Sequence, residues 1–240
     1  MLPCAIGIVL YNRPKYTKML FEALERNHYC GSFPVYVSID YSDAIAEILT
    51  IVYNAKNRGT LKVKEIWVNR PKFGCGRNHI ETINKIPEED FIFFEDDTIP
   101  QAPDTLNYFY SHFPKLKAEN LFSICGYSKV GGNPFAIEVC NYFCPWGFAM
   151  TKAKWMETKR DIFDCGRDWK CSWDTAIQQN VHDKNTILPL LSRIQNVGAE
   201  QGTHVPNSNW HHDNHHVTFG AWDTNVEKKE LGKWHDSGII

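Results

Sequence analysis

Several signals that sort proteins quickly are missing from this sequence. There is no long block of lysine or arginine: 26 basic residues stand against 28 acidic ones, for a formal net charge of −2 and a pI of about 6.5. The electrostatic footprint of a dedicated nucleic-acid binder is therefore absent. No stretch approaches the ~20 consecutive apolar residues needed to span a bilayer. The opening "MLPCAIGIVLYNRP" has an apolar run with no basic segment before it, and Asn12, Arg13 and Pro14 stand where a secretory signal would carry a small-residue cleavage site. These absences predict a soluble, cytoplasmic protein without a membrane span. The eight cysteines (4, 30, 75, 125, 140, 144, 165, 171) form no CxxC pair, and several lie inside apolar runs such as "FSICGYS", where a reduced thiol behaves as a small buried hydrophobe. A reducing compartment fits that usage, and an even count leaves disulfides open in an oxidising one. The sequence also lacks a GxGxxG or GxxxxGK[ST] phosphate loop and any internal repeat.

What the chain has is a hydrophobic content of 43% over 240 residues, enough for one sizeable core. "CAIGIVLY" is a continuous apolar run that stops at Asn12, Arg13 and Pro14, as a strand buried on both faces stops at a polar loop. "KYTKMLFEALERN" then places Tyr16, Met19, Leu20, Ala23 and Leu24 at helical spacing behind a proline. The alternation repeats: a strand over 34–39 ending at Asp40, a helix in "AIAEILTIVYNAK", a strand in "LKVKEIWVN", a helix in "GRNHIETINKI", the strand "DFIFFE", a helix in "APDTLNYFYSHFPKL", then "LFSICGY". Such alternation over residues 1–126 predicts an α/β domain with a mostly parallel central sheet flanked by helices. Chemistry in such sheets collects at the carboxyl ends of the strands. Asn12, Arg13, Asp40, Asn69, Arg70 and Glu95 to Asp97 all fall there and are expected to converge. Beyond residue 127 the composition turns to glycine and aromatics, with mixed strands and helices near 152–160 and 173–182.

The acidic triplet Glu95, Asp96 and Asp97 ends the most hydrophobic strand, in "FIFFEDDTIP". Adjacent carboxylates repel, and desolvating them is costly unless a cation compensates. A divalent metal is the simplest compensation. A loop with one or two ligands suits Mg²⁺ or Mn²⁺ holding a diphosphate, since these ions keep waters and take substrate phosphates as their remaining ligands. The plainer alternative is a solvated acidic turn that caps the next helix; the strand's place in the alternation weighs against it.

"FFEDDTIPQAPDTLNYFYSHFPKLKAENLFSICGYS" resembles the metal-binding region of the GT-A glycosyltransferases, nearest to the N-acetylglucosaminyltransferase I type. Three further segments follow in the same order. "YFCPWGFAMTKAKW" is similar to that family's acceptor-side segment, "SWDTAIQ" to its tryptophan–aspartate motif, and "ILPLLSRIQNVGAEQGTH" to its closing segment. The resemblance implies a GT-A catalytic domain over 1–205, with 1–126 as the nucleotide-sugar-binding half and 127–205 as the acceptor-side half, followed by an arm or tail over 206–240. It implies inverting transfer of a sugar from a nucleotide-diphosphate donor, a UDP-sugar favoured, to a glycan or glycoprotein acceptor.

In that frame Asp97 is the direct metal ligand, and Glu95 and Asp96 contact the donor ribose or sugar, or the metal through water. Asp174 is the candidate base that deprotonates the acceptor hydroxyl. Here the chain departs from the family, which has two aspartates after the tryptophan where this sequence has Asp174 and Thr175; the register of the base is open by one position, and an aspartate that caps the following helix is the alternative. Tyr11, Asn12, Arg13 and Asp40 fall where the fold holds the nucleotide base and ribose. Arg77 and His79 approach the diphosphate, or Arg77 joins a surface ion pair. Trp146 and Gly147 lie beneath sugar and acceptor, and His204 completes the metal shell or contacts the phosphates. A guanosine or thymidine donor stays open beside uridine.

"NWHHDNHHVTFGAWD" places His211, His212, Asp213, His215 and His216 within six residues, without a zinc spacing. It reads as an acceptor-side arm or lid, or as a loose tail. Two rival functions remain: a non-catalytic carbohydrate- or nucleotide-sugar-binding relative that lost its base, and a nucleotidyltransferase, which leaves the tryptophan–aspartate and "GTH" segments unexplained.

Overall fold

The computed structural model of the protein describes residues 4–165, 173–180 and 185–198. Four parallel strands form its frame: β1 (Cys4–Leu10), β2 (Pro34–Asp40), β3 (Lys62–Asn69) and β4 (Asp90–Glu95). Every residue of β1 and β2 is buried, as is all of β4 except its last, Glu95. Covering both faces of a parallel sheet demands such near-continuous apolar sequence. The returning helices are α1 (Pro14–Arg26), α2 (Ile45–Arg58) and α3 (Cys75–Lys85). Pro14 opens α1, where its missing N–H would have had no partner and its fixed φ suits the first turn. Gly59 ends α2 in the left-handed region, which a residue without Cβ enters freely.

The chain continues through β5 (Thr98–Pro100), α4 (Thr105–Ala118), β6 (Ser123–Cys125), β7 (Ile137–Cys140), β8 (Phe148–Thr151), α5 (Lys152–Cys165), α6 (Trp173–Asn180), β9 (Thr186–Pro189) and β10 (Ile194–Asn196). The expected start of α4 at Ala102 moves to Thr105: Ala102 precedes Pro103, and the residue before a proline is driven out of the helical region. The main sheet has the order β3-β2-β1-β4-β8-β6-β9-β7. β8 enters antiparallel between β4 and β6, and β7 closes the far edge antiparallel to β9. β5 and β10 form a separate antiparallel ribbon.

Alternate side chains of the strands face two layers. Ile92 and Phe94 point into one core with Leu20 and Phe21 of α1, Ile48 and Val52 of α2, and Phe109 of α4. Phe91 and Phe93 point into the other, with Ile80 and Ile83 of α3, Trp155 of α5, and Trp173 and Ile177 of α6. Thus α3 and α6 share one face. β1 carries β2 on one side and β4 on the other, the switch of winding direction that opens a crevice at the carboxyl ends of an α/β sheet. Register sets those ends level: Val9 lies opposite Glu95, Leu10 opposite Ile39, and Asp40 opposite Asn69. Among the described residues no helix is long and apolar enough to cross a membrane.

The close approach of β10 to the sheet has a sharp requirement at Gly126, where an added Cβ would lie 2.5 Å from Ile194 Cγ1, 2.8 Å from Phe109 Cζ and 3.1 Å from the Gly147 carbonyl oxygen. Gly126→Ala is expected to lower the unfolding free energy by about 2 kcal/mol through overpacking, read as a reduced midpoint in urea at unchanged slope.

Candidate active site at the carboxyl ends of β1 and β4

The turn after β4 is tied at both ends. The Glu95 N–H donates to Thr98 Oγ1 at 2.8 Å, and the Thr98 hydroxyl donates to the Glu95 carbonyl at 2.9 Å. The Val197 N–H donates to the Asp97 carbonyl at 2.8 Å, which extends the β5–β10 ribbon along the triplet. Asn196 Oδ1 accepts the Gly198 N–H at 2.9 Å, and a Cβ on Gly198 would overlap Asp97 Oδ2. These contacts hold Asp96 and Asp97 inside the protein, with only 2% and 6% of their surface exposed.

Two cations answer the three carboxylates. Arg13, just past β1, reaches Asp96 Oδ1 with Nη2 and Asp97 Oδ2 with Nη1, both at 2.6 Å. The Tyr11 N–H adds a bond to Asp96 Oδ2 at 3.3 Å. His79, on α3 and 2% exposed, faces Glu95 Oε1 with Nε2 at 2.9 Å and the Cys75 carbonyl with Nδ1 at 2.8 Å. Both partners only accept, so the ring donates from both nitrogens and carries a positive charge. Burial works against that charge, but Cys75 and Glu95 outweigh it and hold the His79 pKa well above its ordinary value. Burial likewise opposes the Glu95 charge, and His79, with help from Arg13, overcomes it to keep that carboxyl below its ordinary value.

Arg13 does not fully compensate Asp96 and Asp97. Burial, aided by the neighbouring carboxylates, outweighs Arg13 and pushes Asp96 up to about 7, and Asp97 is raised for the same reason. Among the described residues three ionised carboxylates face two cations, one negative charge in excess, and Asp97 Oδ1 is buried with no hydrogen-bond partner there. One unsatisfied carboxylate oxygen beside a charge deficit fits a divalent cation that takes a single protein ligand and completes its shell from substrate and water. No group of three metal-ligating side chains forms among the described residues.

The remaining candidates are distributed around this centre. Asp40 is buried, and its two oxygens accept the Phe73 N–H at 2.7 Å and the Gly74 N–H at 2.8 Å, so it anchors the loop that leads into α3. Asn69 and Ser38 donate to Asn78 Oδ1, at 2.8 and 2.6 Å, a buried polar knot beneath that loop. Asn12 is exposed. Tyr11 Oη accepts from Lys72 Nζ at 2.5 Å. Arg70 lies over the Tyr41 ring and Arg77 over the Phe73 ring, at 4.8 and 4.2 Å. Arg77 is 59% exposed and 3.9 Å from Glu81, the surface pair that the sequence left open.

Trp146 packs edge-on against Tyr127 at 4.8 Å, and Gly147, at φ +66°, lies against Ile194 and Phe94, so this segment is coupled to β10 and β4. Asp174 is half-buried near the start of α6. Trp173 stacks on His79. His204, the histidine-rich segment and the boundary at residue 205 lie outside the described residues. Sequence reasoning missed Arg13 as counter-ion, the pairing of His79 with Glu95, and Gly198; the glycine-containing segment "IQNVGAEQGTH" was the only available signal for the last.

Two outcomes follow from the charge imbalance. A carboxyl raised by folding takes up a proton on folding between its ordinary value and about 7, so its stability contribution falls as pH rises through that window. In the presence of a chelator, wild type should lose on the order of 3 kcal/mol relative to Asp96→Asn between about pH 4 and about pH 8; parallel denaturation curves would show Asp96 charged throughout. Arg13→Ala leaves both aspartates without their cation and is expected to cost on the order of 3 kcal/mol at about pH 8 and clearly less near pH 5, where protonation relieves them.

No protein-family model matches the sequence, and no curated protein matches it. Solved structures do. S. aureus TarS 1-349 in complex with UDP-GlcNAc aligns with a TM-score of 0.52 at 14% identity, over 77% of this chain and 55% of that one. The mannosyltransferase PcManGT from Pyrobaculum calidifontis, in complex with GDP-Man and Mn2+, aligns with a TM-score of 0.54 at 12% identity, over 78% and 54%. The glycosyltransferase GlyE of Streptococcus pneumoniae TIGR4 aligns with a TM-score of 0.51 at 8% identity, over 77% and 45%. The chain spans about half the length of each of these structures. Likeness at such identities concerns the fold, and the fold is that of GT-A glycosyltransferase structures: an α/β domain with a mostly parallel central sheet flanked by helices.

Proposed function

We propose that the protein is a metal-dependent, inverting glycosyltransferase that moves a sugar from a nucleotide-diphosphate donor, a UDP-sugar favoured, to a hydroxyl of a glycan or glycoprotein. The observation that carries this reading is the acidic triplet, with Asp96 and Asp97 buried and, among the described residues, one positive charge short of neutrality, at the switch point of a GT-A-like sheet. Asp97 holds Mn²⁺ or Mg²⁺ through its unpartnered oxygen. When bound, the ion acts as a Lewis acid on the leaving diphosphate, where negative charge develops. Arg13 balances the same carboxylates from the β1 side. Glu95 and Asp96 face the donor, Tyr11 and Asn12 border its base and ribose, and Asp40 shapes that border through the 73–74 loop. Asp174 takes the proton of the acceptor hydroxyl, at the acceptor-side segment that contains Trp146 and Gly147.

The nucleotide is the open element. TarS is seen with UDP-GlcNAc and PcManGT with GDP-Man; the resemblance of motif order to the N-acetylglucosaminyltransferase I type favours uridine. His204 as a further ligand belongs to the same proposal, as does a cytoplasmic setting, supported by six free thiols among the described residues.

Calorimetric titration of UDP, GDP and dTDP with and without Mn²⁺ tests the reading. One nucleotide should bind in a metal-dependent manner. Asp97→Ala should abolish that binding, and Gly198→Ala should weaken it about tenfold or more by displacing the Asp97 carboxylate. Absence of binding by all three would reduce the triplet to an acidic turn. Metal-dependent binding with no sugar transfer, and no effect of Asp174→Asn, would favour the non-catalytic relative, for which the missing second aspartate speaks.

A further inference from the structure

The contact between His79 and Trp173 has no part in donor chemistry as just described. The imidazole lies over the indole with ring centroids 4.2 Å apart and planes inclined by 28°. The same imidazole is hydrogen-bonded at both nitrogens, to the Cys75 carbonyl and to Glu95, so it cannot turn within its plane. Both side chains are buried. α3 and α6 come close beside the stack: a Cβ on Gly76 would stand 3.4 Å from Trp173 Cβ. Trp173 is the first residue of α6, and Asp174 is the second. Further along α6, Gln178 Oε1 accepts the Phe143 N–H at 2.7 Å, which ties the helix to the segment that runs into Trp146.

We infer that His79 is a positioning residue: stacked on Trp173 and hydrogen-bonded to Glu95, it sets the N-terminus of α6, and with it Asp174, at a fixed place relative to the donor carboxylates. The inference rests on the transferase reading for its functional meaning. The described part of α6, Trp173–Asn180, takes its place from tertiary contacts, as most helices in proteins do. A base in an in-line displacement tolerates little error, since a shift of about 1 Å can cost about a hundredfold in rate. Histidine suits the joint because one flat ring supplies a stacking face and two N–H groups. Glutamine keeps a bond to Glu95 and loses the ring, and phenylalanine keeps the ring and loses both bonds. The joint thus connects the carboxylates that face the donor to the helix that faces the acceptor.

The test uses two variants that reach the stack from opposite sides. Trp173→Ala removes the stack and leaves the His79–Glu95 pair intact, whereas His79→Ala removes both and has the greater chance of misfolding. In Trp173→Ala, amide exchange across 173–180 should accelerate at least about tenfold while β1 and β4 keep their protection. Trp173→Phe, which retains an aromatic face, should restore it. Calorimetric binding of the nucleoside diphosphate with Mn²⁺ should stay within about threefold of wild type. Release of nucleoside diphosphate from UDP-GlcNAc or GDP-mannose, with water as acceptor, should fall at least about 30-fold in kcat with little change in KM. Unchanged exchange across α6, or a loss that appears in nucleotide binding alone, overturns the inference. A wild-type protein that binds no nucleoside diphosphate overturns the transferase reading instead, and the exchange measurement still decides whether the stack holds α6.

Discussion

Three adjacent carboxylates at a strand end, two of them buried and Glu95 half-buried, are the constraint around which the rest is arranged. Each would cost several kcal/mol to desolvate alone, and together they repel. Arg13 and His79 approach from opposite sides, one from the loop after β1 and one from α3, and between them leave a single negative charge uncompensated. A fully neutralised cluster would be inert. A cluster one charge short, with Asp97 Oδ1 unpartnered, is poised to take a proton or a cation, and the raised Asp96 pKa expresses the same deficit.

The sheet makes that arrangement affordable. Parallel pairing of β1 with β4 sets Val9 level with Glu95, so the loop after β1 arrives beside the triplet. The β5–β10 ribbon then closes over the turn, and Gly198 gives Asp97 room that no side chain would leave. Two cores, one on each face, carry the stability, which lets the carboxyl ends hold residues chosen for chemistry. Placement of α3 and α6 on the same face allows a histidine that neutralises Glu95 to touch the helix that bears Asp174.

Much of this was legible in residue order. "DFIFFE" marks β4 to the residue, because a strand buried on both faces is apolar between its two ends, here Asp90 and Glu95. Alternation of such runs with amphipathic helices predicts the α/β sheet, and the carboxyl-end rule singles out Arg13, Asp40 and the triplet. What they do there was less legible. Asp40, expected at the nucleotide base, also holds the Phe73 and Gly74 amides; a carboxylate at a strand end answers whichever donors the fold brings, and those come from a loop more than thirty residues away. Arg13, expected at the same place, spans Asp96 and Asp97, more than eighty residues on.

The sequence by itself determined which residues are strands, where they end, and that acid collects at one of those ends, since hydrophobic periodicity and strand termini are local properties of the chain. Tertiary structure alone decided which cation meets which carboxylate, which oxygen of the triplet is left unpartnered among the described residues, and that Trp173 lies on His79. Those outcomes depend on strand register and on which face each helix covers, and both are set by packing between segments that are far apart in the chain.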